Sequence, residues 1–77
     1  MKELTPATIV ECLQHVLGRE LGEDEDIFAA GVDSLAVLRC RARLKEQTGV
    51  KMPGHVFFEG RTPARIADLM GAHSAGD

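Results

Sequence analysis

The chain is short and has few aromatic residues, whereas an enzyme with an enclosed pocket needs a larger domain. It has 77 residues, no Trp or Tyr, and only three Phe. A domain of this size can close one modest core but cannot also wall in a ligand pocket of about 300 Å³, so a self-contained enzyme is not expected and we assign no catalytic residue. With so few aromatic side chains, the core must be filled by Leu, Ile, Val and Ala, which is typical of a small helical domain.

Long apolar runs and a disulfide framework are absent as well. No apolar stretch of the sequence is as long as the apolar part of a signal peptide or a membrane span, so we expect a cytoplasmic protein without membrane contact. Cys12 and Cys40 are too few for a disulfide scaffold and both fall in helical patterns, which predicts reduced thiols. The net charge of −3 argues against a nucleic-acid partner.

Metal-binding patterns are missing too. His15, His55 and His73 are scattered without ligand spacing. The acidic run 23–26 lacks the alternating oxygen ligands and the distal Glu of a calcium loop, and a solvated acidic turn explains it better. Cys12 lies three residues before His15 but on an apolar stripe, which predicts a buried thiol and not a nucleophile.

Helix start and stop signals divide the first two thirds of the chain. Thr5, followed by a proline, predicts the beginning of a first helix, and Gly18 predicts its end. A second helix is predicted over residues 34–48, with the side-chain oxygen of either Asp33 or Ser34 as its cap. The segment between these helices has no helical period, so we predict a long loop that is held to the core by its apolar pair Ile27-Phe28.

The last third of the chain predicts one short and one longer helix. Residues 56–58 are expected to form a single turn or a short 3₁₀ segment whose Phe side chains fill the core. Thr62, again followed by proline, begins a last helix that should end at Gly71. No strand period occurs, so the predicted fold is an all-α bundle of three main helices plus one short helix. We expect one domain over residues 1–71 and a mobile tail over residues 72–77.

The second helix carries two apolar stripes that point in different directions. At about 100° per residue, one stripe comprises Val37, Cys40 and Leu44. The other comprises Leu35, Leu38 and Ala42, and it is flanked by Arg39, Arg43 and Glu46. Because only one stripe can face the core, the other should be exposed beside charged side chains. Such a strip is typical of a partner-docking surface.

The junction before the second helix places a serine in a distinctive context. On its own, Ser34 is explained as a helix cap. Taken with the rest of the chain, however, residues 26–70 resemble the acyl carrier and peptidyl carrier proteins, the phosphopantetheine-binding domains. The resemblance rests on Asp26-Ile27-Phe28, Gly31-x-Asp33-Ser34-Leu35, Arg41-x-Arg43-Leu44, Thr48-Gly49-Val50-x-Met52-Pro53, Val56-Phe57-Phe58-Glu59 and Thr62-Pro63. Arg61 departs from the pattern, since many relatives have a proline there.

The resemblance implies a carrier function without catalysis. In the family, a phosphopantetheinyl transferase joins 4′-phosphopantetheine from coenzyme A to the serine that corresponds to Ser34, with the help of a divalent metal. Asp33 matches the acid that assists this attachment, and Leu35 matches an apolar residue that partners contact. The terminal thiol of the arm then holds acyl or aminoacyl groups as thioesters. No resident metal is expected.

The resemblance also implies a set of partner enzymes. These are the transferase, an acyltransferase or an acyl or aminoacyl ligase that loads the arm, and a downstream synthase or transferase. Fatty-acid members often have an acidic second helix, whereas this helix carries Arg39, Arg41, Arg43 and Lys45, which favours polyketide or related natural-product biosynthesis. We expect a free-standing, monomeric carrier.

Other functions stay open at this point. One alternative is an aminoacyl carrier of nonribosomal peptide assembly. Another is an unmodified helical interaction module in which Ser34 only caps its helix. The basic second helix also leaves room for a small nucleic-acid binder, although the overall charge disfavours it.

Overall fold

The first two helices follow their start and stop signals closely. The computed structural model describes residues 2–75, with side chains described through residue 71. It contains α1 (Pro6–Leu17), α2 (Ser34–Thr48), α3 (His55–Gly60) and α4 (Pro63–Ala75), and no strand occurs in this range. The predicted all-α bundle of three main helices and one short helix is therefore confirmed. None of the described helices combines the length and the apolar character that crossing a membrane requires.

Local hydrogen bonds set both ends of α1. The Thr5 hydroxyl oxygen accepts the backbone N–H of Thr8 at 3.2 Å, and proline occupies the first helical position. Gly18 has φ of 71°, a left-handed conformation that favours glycine, and its N–H donates to the Gln14 carbonyl at 2.8 Å. The predicted bounds of this helix are confirmed.

The core lies where α1 packs against α2 and α4, and α3 closes it from the α4 side. Each helix contributes at least one side chain with no exposed surface; these are Ile9, Leu13, Leu44, Phe57 and Ile66. Burying a side chain of this size contributes about 1.5–3 kcal/mol. Cys12 and Cys40 lie in the same core as free thiols, and their reduced state in solution stays a prediction.

The long loop between α1 and α2 is held to the bundle by backbone hydrogen bonds as well as by apolar contact. Ile27 is fully buried, as predicted, and its N–H donates to the Arg61 carbonyl at 2.8 Å. The Val32 N–H donates to the Ile27 carbonyl at 3.0 Å, and the Ala64 N–H donates to the Glu23 carbonyl at 2.9 Å. The chain therefore enters α2 from a segment that is fixed at several points.

The prediction for α3 is wrong in two respects. The segment is a six-residue α-helix and not a single turn or a 3₁₀ piece. Only Phe57 fills the core, because successive residues of an α-helix point about 100° apart and Phe58 is therefore directed outward with 49% of its surface exposed. The Phe58 ring stacks on the Phe28 ring, with centroids 5.1 Å apart.

The predicted end of the last helix is also wrong. α4 continues through Gly71 to Ala75. Gly71 is not among the described glycines with positive φ, so it does not form the left-handed turn that ends a helix. Residues 76 and 77 lie outside the described residues, and the division into a domain over 1–71 and a mobile tail over 72–77 stays a prediction.

Arg61 connects the long loop to the corner between α3 and α4. Its φ of 69° is closed to proline, whose ring holds φ near −65°, so the arginine at this position matches the backbone it occupies. The guanidinium donates to Asp26 Oδ2 at 3.0 Å and lies 5.4 Å from the centre of the Phe28 ring. The backbone N–H of Ala29 and the Arg61 guanidinium lower the pKa of Asp26, which also accepts the N–H of Phe28.

Candidate functional site

Ser34 occupies the first position of α2 with its side chain in solvent. Asp33 is the cap residue: its Oδ1 accepts the N–H of Ala36 at 2.9 Å, and its carbonyl accepts the N–H of Val37 at 2.9 Å. The Ser34 hydroxyl has no hydrogen-bond partner among the residues that the structure describes. Of the two capping oxygens that the sequence left open, the structure uses Asp33, and capping therefore does not account for Ser34.

The backbone before Ser34 is fixed by two features. Gly31 has φ of 114°, a backbone angle that residues other than glycine rarely adopt. The next residue, Val32, is buried, and its hydrogen bond to Ile27 anchors it to the loop. Asp33 and Ser34 follow directly and are exposed. A buried residue on one side and the first turn of α2 on the other thus present the hydroxyl at a defined place.

The electrostatics of this position suit a phosphodiester. The first N–H groups of a helix have no carbonyl partner within it and, with the helix dipole, they stabilise an anion. The stabilisation is about 0.3–1 kcal/mol at an exposed site, less than tenfold in an equilibrium. Asp33 Oδ2 accepts no hydrogen bond in the described part of the chain, so one carboxylate oxygen stays accessible beside Ser34. The residues present therefore fit phosphopantetheine attachment at Ser34.

The two stripes of α2 have the burial that the sequence predicted. Val37, Cys40 and Leu44 lie in the core. Leu35 and Leu38 are exposed to 56% and 58%, large values for apolar side chains, and Ala42 is exposed beside them. This exposed apolar stripe begins at the residue after Ser34. Its role in partner docking stays a prediction.

The charged residues predicted to flank this stripe do not all lie beside it. Arg39 and Glu46 are exposed next to it. Arg43 is half-buried, and its Nε is buried without a hydrogen-bond partner, as is Oε1 of Gln47 one turn later. Five residues along α2 correspond to a rotation of about 140° between Leu38 and Arg43. Arg43 lies on the side of α2 toward Glu11 and Cys12 of α1, and this depends on how the two helices pack and not on the period of α2 alone.

Two shallow grooves border the exposed stripe. The groove on one side has a volume of about 200 Å³ and is lined by Leu38, Arg41, Ala42, Lys45, Lys51 and Met52. The groove on the other side has about 230 Å³ and is lined by Val16, Leu17, Gly31, Asp33, Leu35, Ala36 and Arg39. Sequence reasoning missed Lys51 and Met52, because they follow the end of α2 and no helical repeat relates them to it.

The two cysteines are separate from this site. The Cys12 thiol lies 3.7 Å from the Cys40 carbonyl inside the bundle. Hydrogen bonding with the Cys12 thiol and burial raise the pKa of Cys40, which opposes formation of a thiolate there. No cluster of three or more potential metal ligands occurs within the described ranges.

Sequence comparisons with known proteins show which family contains a chain of this kind. The sequence profile of the family "Phosphopantetheine attachment site" matches residues 7–70. The chain is 44% identical over 66 residues to the phenolphthiocerol synthesis polyketide synthase type I Pks15/1 of Mycobacterium marinum, covering 78% of this chain and 3% of that protein. It is 36% identical over 61 residues to surfactin synthase subunit 3 of Bacillus subtilis, covering 78% of this chain and 5% of that protein.

A solved structure shows the same fold. BlmI, a type-II acyl carrier protein of Streptomyces verticillus that is involved in bleomycin biosynthesis, superimposes with a TM-score of 0.80 at 28% identity. The match covers 88% of this chain and 83% of BlmI. The profile spans the loop, Ser34 and all of α2, and the architecture agrees over most of the chain. The chain therefore belongs to the phosphopantetheine-attachment family of acyl and peptidyl carrier domains, and polyketide synthases are among its relatives.

Proposed function

We propose that Ser34 carries a 4′-phosphopantetheine arm and that the chain is a free-standing acyl carrier of polyketide or related natural-product biosynthesis. When bound, the arm supplies a thiol that holds acyl groups as thioesters. The observation that carries this proposal is the exposed Ser34 hydroxyl, which caps nothing because Asp33 does so. The free-standing form is supported by the similarity to most of the type-II carrier BlmI.

Asp33 is proposed to assist the attachment. Its Oδ1 holds the first turn of α2 in place, while Oδ2 is available to a divalent cation that a transferase brings with coenzyme A. The bundle itself is proposed to be non-catalytic. The two grooves are open and shallow, and the described residues show no paired acid and base near Ser34.

Partners are proposed to use the exposed stripe of α2. These are a phosphopantetheinyl transferase, an acyltransferase or a ligase that loads the arm, and a downstream synthase or transferase. Because an anion at the helix end contributes less than tenfold in binding, recognition must come from side chains such as Leu35 and Leu38, with Arg39, Ala42 and Glu46 as further predicted contacts. We propose a monomeric protein of the cytoplasm.

Intact-mass spectrometry tests the attachment. The purified chain is incubated with coenzyme A, Mg²⁺ and a promiscuous phosphopantetheinyl transferase. We expect the mass of one phosphopantetheine to be added, no addition with Ser34→Ala, and normal addition with Ser74→Ala, which removes the only other serine. Ser34→Ala should also unfold at the same urea concentration as the parent, because the capping bond belongs to Asp33.

Two results would contradict the assignment. One is a chain that gains no mass under these conditions, and the other is a Ser34→Ala variant that is still modified. A clear loss of stability in Ser34→Ala would restore the capping explanation and favour the unmodified interaction module.

The similarity to surfactin synthase supports a second candidate, an aminoacyl carrier of nonribosomal peptide assembly. The two candidates share the arm and differ in what it holds. The mass of the species isolated from the native host distinguishes them, since an aminoacyl group and a polyketide acyl group differ in nitrogen content.

A further inference from the structure

Charge is strongly segregated along this chain. Five of the nine Lys and Arg, but only one of the twelve Asp and Glu, lie between residues 39 and 51, so this segment has a net charge of +4. The remaining four basic and eleven acidic residues give the rest of the chain a net charge of −7. A molecule with one positive region on an otherwise negative surface is oriented by an approaching charged partner before contact.

The groove lined by Leu38 and Met52 lies within this positive region. Its floor is apolar, because Met52 is only 1% exposed and Leu38 and Ala42 line it from α2. The cations of Arg41, Lys45 and Lys51 surround the floor, and no carboxylate is among its lining residues. We call these six lining residues the basic groove.

The cations of the basic groove are available to a partner. Arg41 is held in place, since its Nε donates to the Met52 carbonyl at 2.8 Å. Lys45 and Lys51 are exposed, and neither takes part in an ion pair within the described residues, where the three ion pairs are Lys2–Glu11, Arg19–Glu25 and Arg61–Asp26. The positive charge of the groove is therefore not neutralised by an ion pair with any described residue.

The basic groove also lies on the same face of α2 as the proposed attachment site. Ser34, Leu38, Arg41 and Lys45 are separated by four, three and four residues, which places them in one row along about 16 Å of helix. A protein seated on the groove would thus have its contact surface in line with the arm on Ser34.

We infer that the basic groove is the docking site of a partner protein that places an apolar side chain on the groove floor and carboxylates against Lys45 and Lys51. This inference rests on the proposed carrier function and adds the sign of the partner's charge. Charge complementarity identifies carboxylates, and the apolar floor favours a protein over a nucleic acid, which would offer phosphates but no side chain for the floor. The net charge of −7 outside residues 39–51 further opposes a long polyanion.

Two synthetic helical peptides of equal length test the inference. Both carry leucines along one face; one has glutamates beside the leucines and the other has lysines at the same positions. Each peptide is titrated into the unmodified chain, and binding is measured from the NMR chemical shifts of the backbone amides. We expect the glutamate peptide to shift the amides of Arg41, Ala42, Lys45 and Lys51 and to bind less tightly as salt is raised, and the lysine peptide to bind more weakly.

Charge reversal gives the matched comparison. Lys45→Glu/Lys51→Glu should weaken binding of the glutamate peptide by about tenfold and make the lysine peptide the better ligand, because each reversal replaces an exposed attraction by a repulsion. Lys2→Glu/Arg65→Glu changes the net charge equally at exposed positions outside the groove and should leave both affinities within about twofold.

Several outcomes would overturn the inference. They are equal binding of the two peptides, no shift with the glutamate peptide, shifts confined to other surfaces, and equal effects of the two double variants. Tighter groove binding by a DNA oligonucleotide would identify a polyphosphate ligand instead, and groove shifts that grow with protein concentration alone would identify a second copy of this chain. Because the titration uses the unmodified chain, its failure is distinct from failure of Ser34 to accept the arm.

Discussion

Asp33 is expected to serve two purposes that can be measured separately. Its Oδ1 caps α2 through the 2.9 Å bond from the Ala36 N–H, and its charge is proposed to assist the modification of Ser34. Asp33→Asn keeps an oxygen that can accept the capping bond but removes the charge. Asp33→Ala removes both.

The capping bond of Asp33 determines how much stability each variant should lose. Losing the cap in Asp33→Ala should lower the free energy of unfolding by about 1 kcal/mol, within a usual range of about 0.5–2 kcal/mol. For a domain of this size, 1 kcal/mol corresponds to a fall in Tm of about 4–8 °C. Asp33→Asn should lose only a few tenths of a kcal/mol, because Asn caps about as well as Asp.

Urea unfolding followed by circular dichroism measures the first effect, and the initial rate of phosphopantetheine addition by mass spectrometry measures the second. We expect both variants to be modified more slowly than the parent, while only Asp33→Ala is clearly destabilised. A rate for Asp33→Asn equal to that of the parent would refute the proposed use of the charge. An Asp33→Ala variant as stable as the parent would refute the capping assignment.

Three further perturbations test other parts of the structure. Gly60→Ala should lower the free energy of unfolding by about 1–3 kcal/mol, because the added Cβ would lie 2.8 Å from Ile66 Cγ1 and 2.9 Å from the Ile66 backbone nitrogen. Urea unfolding tests this, and an unchanged midpoint of the urea transition would contradict it. The pKa of Asp26 is lowered by backbone N–H groups and Arg61, so the stability that its charge contributes is present above about pH 4 and is lost as the pH falls below that value. Asp26→Asn should therefore be less stable than the parent at pH 6 and approach the stability of the parent at pH 3. Thermal unfolding of both proteins at the two pH values tests this. Leu38→Ala should change stability by less than about 0.5 kcal/mol yet slow acyl transfer to a cognate synthase, and unaltered transfer would remove this residue from the docking surface.

The proposed site combines a hydroxyl whose backbone is fixed with an open surface beside it. Backbone hydrogen bonds from Ile27 and Val32 hold the segment that leads to Ser34, so the arm would start from a defined place. The exposed leucines and the basic groove lie next to it and are not covered by any described part of the chain. This arrangement suits a protein that several enzymes must contact in turn at the same end of α2.

Local signals were enough for the bounds of α1 and α2 and for singling out Ser34 as the candidate residue. Thr5 with its following proline, Gly18 and Gly49 act through hydrogen bonds within one turn of their own helix, so their effect can be predicted without knowledge of the fold. The two stripes of α2 follow from its period alone, because rotation about a helix axis is the same in every fold. The resemblance in the residues around Ser34 likewise lies in one stretch of sequence.

Tertiary contacts decided what the local signals left open or indicated wrongly. Phe58 and Phe57 are equally apolar, and only the position of α4 makes Phe57 the core residue. Arg43 was predicted to flank the docking stripe, yet it is half-buried on the side of α2 that faces α1. Lys51 joins the basic groove because the chain folds back along α2 after that helix ends. Burial and grooves depend on how separate elements pack, and the period of one helix carries no information about its neighbours.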